Sequence, residues 1–481
     1  MRMHVVVRYT GFSLLLNAGF LLLASLVSAL YSGQSLVILL YSALISLLFG
    51  LFPMVFVPPT EDITDKEGLV IVVLSWLACC LIGTLPYVLW GGEFTFTNAW
   101  FESVSGYTTT GSSILTDIEA LPPGLLFWRS LTHWIGGVGI LVFVLAALPF
   151  VLGSQATLFR AEISSLTREN FRYRTRRAIQ ILVVVYVGLT LLETVSLLFC
   201  GMSLFDASTI SFATVATGGF APKNESIAFY HSAYVEITVI VFMILSGVHF
   251  GLLFTVVSGN PGGFWRSSVV RYYLLSMLVG IAVVFVSLEW NVPGRFWSLL
   301  RVTTFQVVSL GTSTGFATAD TTLWPPLAQL VLILFTLQCA CAGSTSGGIK
   351  VDRILVSGKA FVGALRKTLH PAEISVVKID GKTVREDALA GSLLYVLVYV
   401  AVVVLSALFL SAQGMDLLSA FSGSAACMGN VGPGFGTLGS TGNFAHVPEG
   451  GKWGLSAVML LGRLEIYGML ALLIPRFWRW A

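Results

Sequence analysis

Long apolar runs dominate the chain, and their lengths set the first expectation. Stretches near 10–31, 35–57, 68–90, 125–150, 178–200, 232–257, 270–289, 325–342, 349–366, 387–412 and 453–475 are candidate spanning helices. A helix needs about 20 mostly apolar residues to cross a bilayer. Between some of these runs lie segments too short and too polar to span, at 95–110, 203–217, 298–312 and 415–429. Each leads into a turn of hydroxyls and glycines: Thr108-Thr109-Thr110-Gly111, Ala216-Thr217-Gly218-Gly219-Phe220, Leu310-Gly311-Thr312-Ser313-Thr314-Gly315-Phe316-Ala317-Thr318, and Gly429-Asn430-Val431-Gly432-Pro433-Gly434. At membrane depth such backbone is tolerated only where protein buries it or where it lines a watery path. Helix, short helix, turn, helix is the order of a re-entrant pore loop.

The four turns can be brought into register by counting back from Gly111, Gly219, Gly315 and Gly432. Twelve residues earlier stand Ala99, Ala207, Thr303 and Ala420, all small, and fifteen earlier Phe96, Leu204, Leu300 and Leu417, all apolar. Eight earlier stand Ser103, Ser211, Val307 and Ser424. Taking Gly218 as the second glycine breaks all three columns. The expected fold is therefore an all-α polytopic membrane protein. Four parallel helix–pore-loop–helix repeats, at 61–160, 161–260, 261–370 and 371–481, surround one pore with pseudo-four-fold symmetry. A two-helix N-terminal extension at 1–60 precedes them.

Composition agrees: 56% of the 481 residues are hydrophobic and 11% charged, against about 25% charged in an ordinary soluble domain. The run from Thr10 is too long for a removable signal peptide and lacks a cleavage pattern, so it reads as a retained span. Lysine and arginine set orientation. Six arginines lie in 151–177, eight basic residues in 349–386, and Arg266, Arg271, Arg476 and Arg479 belong to the same side. Only Arg129, Lys223, Arg295, Arg301 and Lys452 fall on the other. Both termini are expected to face the cytoplasm, with the turns entering from outside. The net charge of +3 is too modest to suggest nucleic acid as a partner. The six cysteines sit in apolar stretches without histidines and read as packing residues.

A dehydrated alkali cation needs oxygen ligands in place of its water shell, and rings of backbone carbonyls supply them. Glycine admits the backbone angles that turn successive carbonyls toward an axis. Gly111, Gly219, Gly315 and Gly432 are the candidates, with Thr110, Gly218, Thr314 and Val431 offering the adjoining carbonyls. Thr109, Thr217, Ser313 and Asn430 flank them.

On these turns, on Trp134-Ile135-Gly136-Gly137-Val138-Gly139-Ile140 and on Gly343-Ser344-Thr345-Ser346-Gly347-Gly348-Ile349-Lys350, the chain resembles the Trk/Ktr/HKT superfamily of potassium transporters over essentially its whole length. The two-helix preface is most similar to the TrkH/TrkG type. The resemblance implies potassium uptake, with the potassium ion as cargo and no organic cofactor. It also implies a homodimer in a bacterial or archaeal inner membrane, regulated by a cytoplasmic TrkA-type nucleotide-binding subunit docked on the basic loops. Glycine at position 111, where some sodium-selective relatives carry serine, is potassium-permissive in that comparison.

Three glycines and three hydroxyls in 343–348 would weaken a helix by roughly 1 kcal/mol per glycine. At membrane depth such a segment must line a cavity. The matching family segment (Gly343, Ser344, Thr345, Ser346, Gly347, Gly348 and Lys350 here) is a gate below the filter. Arg463 lies inside the last apolar run, where a charge costs about 3 kcal/mol on insertion scales. Its family counterpart is a positive barrier in the pore, and an internal ion pair with Glu465 or another carboxylate is the structural alternative. Glu193 and Glu236 read as hydrogen-bonding between helices, His133 as structural, and Asp117, Glu119, Glu225 and Asp320 as outer-loop charge. Gly432-Pro433-Gly434-Phe435-Gly436 follows no strand and fails as a phosphate loop. No catalytic cluster stands out, so an enzyme is not expected. The functional rivals are a sodium-conducting member of the same architecture and a proton-coupled cation symporter. The filter itself contains no titratable residue, which favours a channel-like mechanism.

Overall fold

The computed structural model describes residues 1–31, 33–58, 63–147, 175–289, 296–370 and 376–478. Most of the basic stretch 151–177 lies outside these residues. Two helices, α1 (Met3–Tyr31) and α2 (Leu36–Phe56), form the preface. They cross closely at two glycines, since a side chain on Gly50 would meet Leu15 and the Gly11 carbonyl. Arg8 bonds the carbonyls of Met54 and Val57 and so closes the C-terminal end of α2.

The first unit follows as α3 (Asp65–Trp90), the short α4 (Phe96–Tyr107) and α5 (Pro123–Ala147). A capping box of Thr64 and Glu67 starts α3. Arg2 also pairs with Glu67 at 2.9 Å, which joins the preface to this unit. The second unit holds α6 (Thr175–Phe199), the short α7 (Leu204–Val215), α8 (Ala233–Ser246) and α9 (Phe250–Val257), and α10 (Gly262–Arg266) opens the third. That unit has α11 (Ser268–Glu289), the short α12 (Phe296–Gly311), α13 (Pro326–Gln338) and α14 (Val351–Leu369). A small antiparallel hairpin, β1 (Lys378–Ile379) and β2 (Lys382–Thr383), opens the fourth unit. There α15 (Glu386–Ala412) and the short α16 (Leu417–Gly429) are followed by α17 (Glu449–Arg463), α18 (Ile466–Leu473) and α19 (Pro475–Trp478).

Among the described residues six helices are individually long and apolar enough to cross a membrane, or seven if α8 and α9 count as one bent span. Several expected spans are corrected. The run 232–257 is two helices bent by 106°, because Gly247 abuts Tyr273 and Ala340 and His249 caps α9. The run 453–475 breaks where Glu465 takes a left-handed φ of 54°. The run 325–342 stops at Gln338, with Cys339 at φ 55°. Helix α14 replaces the expected span 349–366. It buries only Val351, Asp352 and Val356 and carries exposed Arg366 and Lys367, so it does not qualify as a span. Helix α1 starts seven residues earlier than expected, at Met3.

The buried apolar side chains form two clusters. One draws mainly on units two and three but also takes in Val5 and Val6 of the preface, Val70 and Ile71 of unit one and Val431 and Phe435 of unit four. The other draws on the preface and units one and four, with Ile349 of unit three. Partly buried Trp134, Phe421 and Leu472 touch both.

Candidate functional site

Three of the short helices begin at a side-chain cap sixteen residues before the turn glycine. Thr95 accepts from Asn98 N at 3.3 Å, Ser203 from Asp206 N at 3.0 Å and Asp416 from Ser419 N at 3.0 Å. All four end in the same way. The amides of Thr109, Thr217, Ser313 and Asn430 donate to carbonyls three residues back, at 3.0, 2.9, 3.1 and 3.3 Å. The next amides, of Thr110, Gly218, Thr314 and Val431, donate five residues back at 2.8, 2.7, 2.8 and 2.9 Å. This pair of bonds is the Schellman ending, which needs a left-handed residue at its corner. Here the corner is never glycine: φ is 53° at Thr109, 55° at Thr217, 61° at Ser313 and 51° at Asn430. Each is a polar residue held in a conformation that side chains rarely adopt.

Two residues on, φ is positive again at Gly111 (85°), Gly219 (81°), Gly315 (79°) and Gly432 (102°). Gly218 is not among the left-handed residues, as the register predicts. It is glycine for a different reason: a Cβ there would overlap the His133 ring.

The four turns close into a ring in chain order. A Cβ on Gly111 would run into the carbonyl oxygen of Gly218, on Gly219 into that of Thr314, on Gly315 into that of Val431, and on Gly432 into that of Thr110. Each glycine thus lies against the carbonyl of the residue before the next glycine, and the four turns form one closed ring. All four short helices point their C-terminal ends at it, each with a partial negative charge of about half an electron. Side chains lock the first and fourth turns together. Ser112 Oγ donates to the Gly432 carbonyl at 2.9 Å and Asn430 Nδ2 to Thr110 Oγ1 at 3.0 Å.

The 343–348 loop meets this ring on the side where the short helices end. Ser346 Oγ and the Gly347 amide bond Ser313 Oγ at 2.9 and 3.1 Å. Thr345 Oγ1 donates to the Val215 carbonyl at 2.9 Å, and Gly347 lies against the Gly429 carbonyl. Ser344 Oγ donates to the Cys341 carbonyl at 2.7 Å. Gly343 packs on His249, and Gly348 on Cys339. Asp352 Oδ2 accepts from the Ala342 amide at 2.6 Å. Arg463, 7% exposed, donates to the carbonyls of Thr345 at 2.6 Å and Gly136 at 2.9 Å. Lys350 stands apart from this cluster. With Arg353 it binds Glu465, at 3.1 and 2.6 Å, and the Arg353 guanidinium lies 3.7 Å from the Tyr395 ring centre. Glu465 thus gives its two oxygens to Lys350 and Arg353 of the third unit.

Other expectations resolve as follows. Glu236 pairs with Arg301 at 2.9 Å, and Glu193 is wholly buried beside the Thr214 hydroxyl of the neighbouring helix. The six cysteines are unbridged. Gly136 and Gly137 are in close contact with the Tyr107 carbonyl and Ala216, a packing use of glycine. On the far side of the ring, Asn224 donates to Asp117 at 2.8 Å and holds that carboxyl below the usual range. Glu119 pairs with Lys223 at 3.3 Å, and Asp320 caps its own turn through Thr322. Sequence reasoning missed the buried pair of Glu102 and Arg129, 2.8 Å apart. Its signal was available, since an ionisable residue in a membrane segment is a functional candidate by default.

Comparison with known proteins decides the family. The TrkH family, described as cation transport protein, matches residues 10–288 and 298–479. The chain belongs to it. It is 33% identical over 487 residues to the "Trk system potassium uptake protein TrkH" of Escherichia coli K12, covering 100% of both chains. It is 37% identical over 417 residues to the "Trk system potassium uptake protein TrkI" of Halomonas elongata, covering 85% of this chain and 83% of that one. The crystal structure of the potassium transporter TrkH from Vibrio parahaemolyticus superposes with a TM-score of 0.90 at 31% identity, covering 100% of both chains. The chain is accordingly a multi-pass membrane protein of a transporter family, not an enzyme.

Proposed function

We propose that this chain takes up potassium across the cytoplasmic membrane through a selectivity filter made by its four turns. The observation that carries the reading is the closed ring, in which each glycine faces the carbonyl of Thr110, Gly218, Thr314 or Val431. A cation there meets several oxygens of modest charge, the ligand set suited to a potassium ion without its water. The names of the relatives, potassium uptake proteins of the Trk system, point the same way. In this reading Thr110, Gly111, Gly218, Gly219, Thr314, Gly315, Val431 and Gly432 bind the ion, and Thr109, Thr217, Ser313 and Asn430 shape the turns. The 343–348 loop is the gate, and Arg463 is both its anchor and a positive barrier.

The remaining assignments complete the proposal. The unit boundaries are 60/61, 160/161, 260/261 and 370/371, and both termini face the cytoplasm. The protein is a homodimer in an inner membrane. A nucleotide-binding subunit of the TrkA type docks on basic surface in 349–386, where Arg366, Lys367, Lys378, Lys382 and Arg385 are exposed. The deciding experiment is tracer flux of rubidium and sodium into liposomes holding the purified protein, with and without an imposed proton gradient. Rubidium flux well above sodium flux and insensitive to the gradient is expected. Preferential sodium flux overturns the potassium assignment, and gradient-driven accumulation overturns the channel-like mechanism.

A further inference from the structure

The turns share one backbone pattern, but their support from behind is not four-fold. Nine residues before the turn glycine stand Glu102, Ile210, Gln306 and Gly423. Where this residue is polar, it holds the strand leaving its turn. Glu102 accepts from Ser113 Oγ at 3.0 and 3.1 Å and from the Ile114 amide at 3.0 Å, just past Gly111. Gln306 Nε2 donates to the Ala319 carbonyl at 3.2 Å, just past Gly315. The second and fourth turns have no polar side chain at this position.

Glu102 is wholly buried, and its charge is met by Arg129, itself 1% exposed, through Nη2 at 2.8 Å and Nε at 2.9 Å. Arg129 reaches further. Its Nη2 donates to Ser113 Oγ at 3.2 Å, and Nη1 contacts the Ala221 carbonyl at 3.5 Å. Its guanidinium carbon lies 4.1 Å from the centre of the Phe220 ring. One helical turn along α5, His133 stacks on the same ring, with centroids 4.1 Å apart and planes 15° apart. Phe220 directly follows Gly219. One charged pair of the first unit therefore holds the exit strand of the first turn and, through Phe220 and Ala221, that of the second.

Stability alone does not call for such a pair. Well-packed apolar residues of similar volume often serve a buried interior as well or better. Two nitrogens of one planar guanidinium converging on a single carboxylate oxygen, Glu102 Oε1, do supply fixed geometry through charge-assisted bonds. We infer that Glu102 and Arg129 are specificity-positioning residues, which set the spacing between the first- and second-turn carbonyls and so the cation size that the ring accepts. The inference rests on the reading of the turns as a selectivity filter.

The test is the rubidium-to-sodium flux ratio of the full-length protein in liposomes. Glu102→Gln should lower the ratio by about tenfold, equivalent to about 1.4 kcal/mol of discrimination, with sodium flux maintained or raised. Arg129→Lys keeps the charge but loses the fork and should fall between. The double variant Glu102→Gln/Arg129→Gln leaves no unpaired buried charge, so it should fold even if the single variants do not, and its ratio should stay low. Ser113→Ala removes one link and should give a smaller loss in the same direction. Parental selectivity in the double variant, or rubidium and sodium fluxes that fall in proportion in every folded variant, would show that the pair only holds the fold. Gly315→Ser in the same assay separates the two readings. If it shifts the ratio while the Glu102 and Arg129 variants do not, the positioning role alone fails. If it too leaves the ratio unchanged, the filter reading fails with it.

Discussion

The ring of turns and the loop beside it are both made of glycine and hydroxyl residues, yet they are held by opposite means. Each turn is framed by its own main chain, through two amide bonds to the short helix it ends, repeated four times. The 343–348 loop has only a few side-chain bonds of its own, from Ser344 to the Cys341 carbonyl and between Ser346 and its neighbours. Its other partners include Val215 and Phe250 of the second unit, Ser313 of the third and Arg463 of the fourth, mostly single hydroxyl or amide contacts. A local frame forms whenever its helix forms. A frame of scattered tertiary contacts lasts only while the units keep their places, and each such bond contributes a net of about 1 kcal/mol. The first construction suits a site that must not change size, and the second suits an element that must move.

The contrast can be tested from its strongest point downward. Gly315→Ser should be most severe for selection, because the serine needs φ 79° and its Cβ collides with the Val431 carbonyl. Potassium preference should collapse by at least about tenfold, read as rubidium against sodium flux, and an unchanged ratio would remove Gly315 from the ring. Deleting 343–348 should act on flux, not preference, raising transport in the absence of any cytoplasmic partner. If flux stays low without the partner, the loop is no gate.

A milder change is Thr345→Val, which removes the bond to the Val215 carbonyl. It should raise basal flux by roughly two- to tenfold, from a bond of about 0.5–1.5 kcal/mol, with selectivity untouched. A matching loss of selectivity would mean that ring and loop are one rigid body. The smallest effect is expected from Asp117→Asn at the far mouth. Asn224 holds the Asp117 carboxyl below its usual range, so it stays charged as the medium is acidified toward the ordinary carboxylate range. Its loss should lower flux slightly at low ionic strength and not at all in high salt. A deficit that persists in high salt would point to a structural role.

How much could be read in advance follows the same division. The positions of the short helices, the register of the four glycines and the choice of Gly219 over Gly218 rested on columns of residue types within one unit. The left-handed backbone at all four glycines agrees with that register. The cap column of Thr95, Ser203 and Asp416 is equally local. The breaks at Gly247–His249 and Glu465 could not be seen in apolar runs, since hydropathy is blind to where backbone bonds stop. The partners of Glu465 also escaped. Arg463 is its near neighbour in sequence, whereas Lys350 and Arg353 come from another unit.

Hydrophobic length, small-residue columns and helix endings act over one or two helical turns. They are therefore written into the order of residues, and with them the class of fold and the location of the four turns. Which carbonyl each glycine faces, what grips the loop, and how Glu102 and Arg129 join two turns depend on residues tens to hundreds of positions apart. Such contacts are selected by packing and by the cost of leaving a buried charge or amide unmet. Only the assembled units could decide them.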